Sequence, residues 1–122
     1  PAPVAAPAAA AGQARAESLI AQGNLLEDGG RPAQAVPLYR EAARLAPGLP
    51  KAHLNLGMGL AATGDLAAAV AAYRTGIALD AAHPFLHYNL AHALYLQGDF
   101  AGARDHAALA PADGPGRAAA AR

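Results

Sequence analysis

The chain has 122 residues, with nine basic and nine acidic side chains that give a formal net charge of zero, and it contains no cysteine. This length suits one modest domain, and the scattered arginines, which form no basic stripe, exclude a nucleic-acid or anionic-membrane partner. Without cysteine there are no disulfides and no thiolate metal sites, and no apolar run approaches the roughly 18 residues of a membrane-spanning helix.

The composition favours an all-α fold that is held together by close helix packing. Alanine is the most frequent residue, whereas aromatic residues make up only 5% of the chain. Alanine has the highest helix propensity, but it buries little apolar surface compared with the roughly 1.5–3 kcal/mol gained from a leucine or phenylalanine. Such helices must approach one another closely to be stable.

The two ends of the chain differ from its middle. Residues 1–12 read PAPVAAPAAAAG, and the three prolines predict an extended or mobile N-terminal tail over residues 1–15. We expect a neighbouring chain to order this tail, which would make the protein a subunit of a larger assembly. Residues 111–122 read PADGPGRAAAAR and predict a C-terminal tail.

Between these ends the sequence repeats itself with a period of about 34 residues. Small, large and turn positions all recur together at this spacing: Gly23, Gly57 and Ala91; Leu26, Leu60 and Leu94; Gly30, Gly64 and Gly98; Ala35, Ala69 and Ala103; and Tyr39, Tyr73 and Ala107. A period of this length indicates a repeated supersecondary unit, and such units bury their apolar faces by stacking.

Each unit contains two predicted helices. Turn and capping signals place the six helices near residues 14–28, 33–46, 51–62, 67–79, 85–96 and 101–109. Asp65 and Asp99 are suitable N-caps, and Pro32 suits a first helical position. Gly57 lies inside a helix, where glycine costs about 1 kcal/mol relative to alanine. We expect it to let the helices of neighbouring units approach, so that Gly57→Leu would push repeats one and two apart.

The pattern resembles the tetratricopeptide repeat family, whose signature is W-x2-L-G-x2-Y…A-x3-F…P. Repeat two offers His53-x2-Leu56-Gly57-x2-Leu60 and then Ala69-x3-Tyr73. The resemblance implies a right-handed α-α solenoid of three repeats, over residues 16–49, 50–83 and 84–110. Histidine or leucine replaces the usual tryptophan, and Ala107 replaces the late aromatic residue of repeat three.

The residues give no sign of catalysis, of a cofactor or of a metal site. No glycine-rich phosphate loop or nucleophile motif is present. His83 and His87 are four residues apart, a spacing that can chelate a metal on one helix, but His83 precedes Pro84 and is predicted to lie in a loop. His53 and His87 occupy the tryptophan position of the family, and we interpret both as structural imidazoles that pack between helices. The protein is therefore predicted not to be an enzyme.

In this family the first helix of each repeat lines a concave surface. Helical spacing puts Glu17, Ile20, Asn24, Glu27 and Asp28 on that face in repeat one, Lys51, Leu54, Asn55, Met58, Ala61 and Ala62 in repeat two, and Phe85, Tyr88, Asn89, His92, Tyr95 and Leu96 in repeat three. From these we predict a partner-binding groove made of Asn24, Lys51, Asn55, Met58, Phe85, Tyr88, Asn89, His92 and Tyr95. The alternative is that Phe85 and Tyr95 only pack against a missing neighbour.

The resemblance also bears on the partner. Chaperone-binding members grip a carboxylate tail with asparagines and cations, but Ile20, Phe85 and Asn89 stand where the cations belong, which excludes that clamp. Asn55 and Asn89 match the asparagine ladder of the protein O-linked N-acetylglucosamine transferases. We therefore predict a scaffold or adaptor that binds a protein or peptide in the groove, in the cytoplasm or the periplasm. The substrate-recruiting array of a larger transferase and a homo-oligomer are the alternatives.

Overall fold

The computed structural model describes residues 5–110, and side-chain surroundings from residue 8 onward. In this part of the chain there are six helices: α1 Ala5–Asp28, α2 Pro32–Leu45, α3 Pro50–Ala62, α4 Leu66–Leu79, α5 Pro84–Gln97 and α6 Phe100–Ala107. They pack as sequential antiparallel pairs, each helix against the next. Contacts of α1 with α3 and of α3 with α5 place the three first helices side by side. The predicted all-α arrangement of three helix pairs is confirmed.

Local capping explains where the helices end. A glycine with positive φ closes the first helix of each pair: Gly30 at 75°, Gly64 at 88° and Gly98 at 88°. The next backbone N–H then donates to a carbonyl five residues earlier, as from Asp65 to Leu60 at 2.9 Å, which satisfies a carbonyl at the helix end. The predicted N-caps are confirmed, because the carboxylates of Asp65 and Asp99 accept from the backbone N–H groups of Ala68 and Gly102.

Helix α1 begins at Ala5, so the predicted extended conformation is wrong for residues 5–12. Pro7 falls in the first turn of α1, where a helix does not need the backbone N–H that proline lacks, and the alanines that follow propagate the helix. A Cβ added at Gly12 would lie 3.2 Å from the carbonyl oxygen of Leu45. The end of α2 in the same chain therefore supports this segment. Residues 1–4 and the predicted tail 111–122 lie outside the described residues.

Gly57 packs against an aromatic ring of its own repeat. A Cβ added there would lie 2.6 and 2.8 Å from Cδ1 and Cζ of Tyr73 on α4, and the equivalent Cβ at Gly23 would lie 2.5 Å from Cε1 of Tyr39 on α2. The expectation that Gly57 lets the helices of repeats one and two approach is therefore wrong, because the side chain that needs the space is Tyr73 of the same repeat. Glycine is required because a buried tyrosine ring contacts the helix at this position.

The apolar core has two parts that meet near Leu56. Repeat one contributes the cluster around Leu19, Ile20 and Tyr39, and repeats two and three contribute the cluster around Leu54, Tyr73, Leu86 and Leu90, with Leu56 packed against both. Tyr39 is fully buried and Tyr73 is 2% exposed. One tyrosine thus fills the interior of each of the first two repeats, whereas Ala107 stands at this position in repeat three.

Candidate functional site

The concave face carries a small pocket that is lined by all three first helices. Its volume is about 240 Å³, and its wall consists of Glu27 from α1, Met58, Ala61 and Ala62 from α3, Tyr73 from α4, and Asn89, His92 and Leu96 from α5. We call it the concave pocket. Of the predicted groove residues, it brings together Met58, Asn89 and His92.

Glu27 gives the concave pocket its charge. The hydroxyl of Tyr39 lies 2.5 Å from Oε1 of Glu27 and 2.8 Å from Oδ1 of Asn24, so the carboxylate is held in place by a charge-assisted hydrogen bond. Burial, followed by the negative charge of Glu27, raises the pKa of Tyr73 well above its ordinary value. Tyr73 therefore presents a neutral phenol in the wall of the pocket, beside a fixed carboxylate.

Two predicted groove residues, Asn24 and Asn55, lie in the interior instead. Their exposed fractions are 8% and 1%. Asn55 donates from Nδ2 to the Lys51 carbonyl at 2.9 Å. The same bond recurs one repeat later, from Asn89 to the Phe85 carbonyl at 2.7 Å. The amides of the predicted ladder thus bond to the preceding helical turn, and Asn89, half-buried, remains at the wall of the concave pocket.

Lys51 and Phe85 occupy equivalent positions in the first turns of α3 and α5, and both are half-buried. Phe85 packs against the core of repeats two and three, and its ring meets that of His83 edge-on at 5.9 Å. Neither residue lines the concave pocket. They lie at the other end of the same helices, one turn or more from Met58 and Asn89.

Tyr88 and Tyr95 belong to a second surface. With His92 they line a larger pocket of about 510 Å³ between α5 and α6, completed by Ala91, Phe100, Ala103, Arg104 and Ala107. We call it the end pocket. The ring of Tyr95 meets that of Phe100 edge-on at 5.4 Å. Tyr88 and Asn89 fall on different surfaces because successive residues of a helix point about 100° apart.

Glu27, Leu96 and the α3 alanines were expected on the concave face but were not among the predicted groove residues, and Tyr73 was expected only as a repeat position. The signal for Glu27 was present, because it aligns with Ala61 and Tyr95 in the repeat register. Tyr73 gave no such signal, since it lies on the second helix of its repeat and reaches the pocket only because Gly57 lets its ring cross α3.

The buried histidines link helices to the loops that precede them. His53 and His87 are buried, and their Nε2 atoms lie 2.8 and 2.7 Å from the carbonyls of Pro47 and Ala81. A carbonyl can only accept, so each Nε2 carries a proton. His83 lies in the loop before α5, as predicted, with a buried Nδ1 that makes no hydrogen bond. Among residues 5–110, no three histidine, aspartate or glutamate side chains converge as metal ligands.

Known proteins share the repeat pattern and the fold of this chain. Two family models described as tetratricopeptide repeat match the sequence, one over residues 3–50 and 20–84 and the other over residues 60–122. The chain belongs to the tetratricopeptide repeat family. None of the curated proteins matches it. No helix within residues 5–110 of this tetratricopeptide protein is long and apolar enough to cross a membrane.

Solved tetratricopeptide structures share the fold at low sequence identity. The Yersinia enterocolitica type III secretion chaperone SycD, in complex with a peptide of the translocator YopD, is 24% identical over 81% of this chain and 78% of its own, with a TM-score of 0.74. MamA is 23% identical over 83% of this chain and 59% of its own, with a TM-score of 0.75. YrrB, described as having an unusual peptide-binding site, is 21% identical over 78% and 49%, with a TM-score of 0.74.

Proposed function

We propose that the chain is a non-catalytic interaction module that binds a segment of a partner protein along its concave face, as a subunit of a larger complex. The concave pocket carries this proposal, because side chains from the first helices of all three repeats line it. Lys51 and Phe85 extend the same face toward the starts of α3 and α5. The peptide complex of SycD and the peptide-binding site of YrrB support the proposal by their shared fold.

The wall of the concave pocket indicates which segment would fit. Its charged member is Glu27, and no lysine or arginine is among its lining residues. Met58 and Leu96 supply apolar surface, and Leu96 is 51% exposed. Asn89 uses one amide hydrogen on the Phe85 carbonyl, so its second N–H and its oxygen suit a peptide backbone. We infer a partner segment that carries a lysine or arginine next to an apolar side chain.

Glu27→Gln tests the proposal, because it removes the charge while preserving the shape and an acceptor for Tyr39. Hydrogen bonds to charged groups contribute roughly 1.5–3 kcal/mol, so we expect affinity for a basic peptide to fall about tenfold or more. The measurement is calorimetric titration with peptides selected from a library of short sequences in which the central residue is lysine, glutamine or glutamate.

The matched control is Glu17→Gln, which makes the same charge change on an exposed position of α1 outside the concave pocket. It should bind basic peptides like the natural sequence. If the lysine-centred peptides are not preferred over the glutamate-centred ones, or if both variants weaken binding equally, the concave pocket is not the binding site.

A further inference from the structure

The end pocket occupies the place where the first two repeats keep a tyrosine. In the repeat register its residues Ala91, Ala103 and Ala107 correspond to Gly57, Ala69 and Tyr73. In repeat two the Tyr73 ring lies on Gly57 and is only 2% exposed. In repeat three both partners of this contact are alanine, so no ring fills the space between α5 and α6.

The other residues that line the end pocket also differ from their equivalents in repeat two. Leu54, Met58, Ala61, Leu66 and Val70 of repeat two correspond to Tyr88, His92, Tyr95, Phe100 and Arg104 in repeat three. In repeat two the packing of α5 covers this surface, so that Leu54 and Val70 are 1% and 7% exposed. In repeat three Tyr95 and Phe100 remain 59% and 63% exposed.

We propose that the end pocket is an acceptor site for a tyrosine side chain that a partner protein supplies, with a carboxylate of the same partner segment pairing with Arg104. Its volume of about 510 Å³ lies within the range of ligand pockets, about 300–1,000 Å³. A phenol from a partner would lie between α5 and α6 beside the Ala91 methyl group, with aromatic contacts to Tyr88, Tyr95 and Phe100.

The polar groups at the pocket support tyrosine over a purely apolar ring. In repeat one the Tyr39 hydroxyl donates to Oδ1 of Asn24 at 2.8 Å. His92 holds the position of Asn24 in repeat three, so its imidazole is placed to bond a phenol hydroxyl. Arg104 is the charged residue in the lining, its side chain is 79% exposed, and it lies 3.5 Å from the exposed Asp105. A partner carboxylate therefore complements this pocket better than a cation does.

Residues 111–122 contain no tyrosine. They consist of proline, alanine, aspartate, glycine and arginine. None of these side chains is aromatic. A partner protein is favoured over a second copy, because every tyrosine within residues 5–110 already lines one of the two pockets or fills the core.

The experiment uses the full chain and 4-methylphenol, which is the tyrosine side chain itself. Heteronuclear NMR titration should shift the signals of His92, Tyr95 and Ala103, and toluene, which lacks the hydroxyl, should bind at least threefold more weakly. In the peptide library, sequences with a central tyrosine and a neighbouring aspartate should bind at least tenfold more tightly than the same sequences with a central alanine. Absence of these shifts, or equal binding of both peptide sets, overturns the proposal.

The variant A91G/A107Y gives repeat three the glycine and tyrosine pair that repeats one and two have. Its new tyrosine should fill the end pocket from within the chain. It should abolish the 4-methylphenol shifts and raise the melting temperature by about 4 °C or more. The single variant A107Y retains the Ala91 methyl group under the ring and should gain less or lose stability. Retention of phenol binding by the folded double variant overturns the proposal.

Light scattering on the natural sequence tests whether a second copy of the chain occupies the end pocket. If the mass rises with concentration, and A91G/A107Y abolishes the rise, a second copy fills the end pocket and the partner assignment is wrong. A constant monomer mass, together with tyrosine-dependent peptide binding, supports the proposal. Because Glu27 lies outside the end pocket, Glu27→Gln should leave 4-methylphenol binding unchanged, which separates this result from the test of the concave pocket.

Discussion

At the scale of single residues, the pairing of a helical glycine with a tyrosine ring organises this protein. Gly23 contacts Tyr39, and Gly57 contacts Tyr73 at the same separation in sequence. Both members change together in repeat three, to Ala91 and Ala107. The sequence predicted that Gly57 had to be small, but not which side chain it contacts. A repeat pattern identifies equivalent positions, and it does not identify which residues touch.

Gly57→Ala is the first prediction. In an open helix this change would stabilise by about 1 kcal/mol, but here the new methyl group meets the rigid Tyr73 ring, with Cδ1 only 2.6 Å away. Overpacking costs roughly 1–3 kcal/mol, so we expect a net loss of stability and a lower melting temperature by circular dichroism.

Two controls isolate the ring. Gly48→Ala places a methyl group where no atom lies within 4 Å and should be close to neutral. In a Tyr73→Ala background the sign should reverse, because Gly57→Ala then contributes only its helix propensity. A destabilising Gly57→Ala in that background would contradict the contact with Tyr73.

At the scale of the helices, the sequence predicted most boundaries to within a few residues because the signals are local. A glycine with positive φ closes each first helix, and aspartate or proline opens each second one. The start of α1 was missed because the three prolines outweighed the alanine run. The division of the predicted groove was missed because Tyr88 and Asn89 are neighbours in sequence but face different surfaces.

Two histidines connect helix α6 to α5. Nδ1 of His106 lies 3.2 Å from Nδ1 of His87, with the rings stacked at 5.5 Å. Because Nε2 of His87 donates to the Ala81 carbonyl, its Nδ1 is the acceptor and His106 donates.

The charges around His106 also favour its neutral form. Burial lowers the pKa of His106 below its ordinary value of 6.5, and His87 on α5 and Arg74 on α4 lower it further, while Asp105 and Asp99 oppose them. The unfolded chain therefore binds more protons than the folded chain once the pH falls below about 6.5. Stability contributed by His106 is therefore complete above about pH 6.5 and is lost below it.

We expect the melting temperature to fall between about pH 7.5 and about pH 5, and His106→Ala to reduce this fall. Alanine is the matched choice, since Ala72 is the equivalent residue of repeat two. Circular dichroism melts of both proteins across this range provide the measurement. Equal pH dependence of the two would assign the effect to other groups.

At the scale of the whole molecule, the repeats are unequal although their register is constant. Each repeat of a solenoid contacts only its neighbours, so stability is close to a sum of units and interfaces. Helix α4 has 14 residues and packs against both α3 and α5, whereas α6 has eight residues and, within residues 5–110, packs mainly against α5. A buried tyrosine packs between the two helices of repeat one, and another packs between those of repeat two. In repeat three an open pocket lies between the helices instead.

The last prediction follows from this inequality. Native-state hydrogen exchange reports the free energy of local opening, and amides of α6 should exchange at least tenfold faster than the equivalent amides of α4, which corresponds to about 1.4 kcal/mol or more. The pair formed by His106 and Ala72 is a direct comparison, since both residues hold the same position in the register. In A91G/A107Y the α6 amides should slow toward those of α4, while those of α2 stay unchanged. Equal protection of α4 and α6 in the natural sequence would mean that the missing tyrosine costs repeat three nothing, and that its stability has another source.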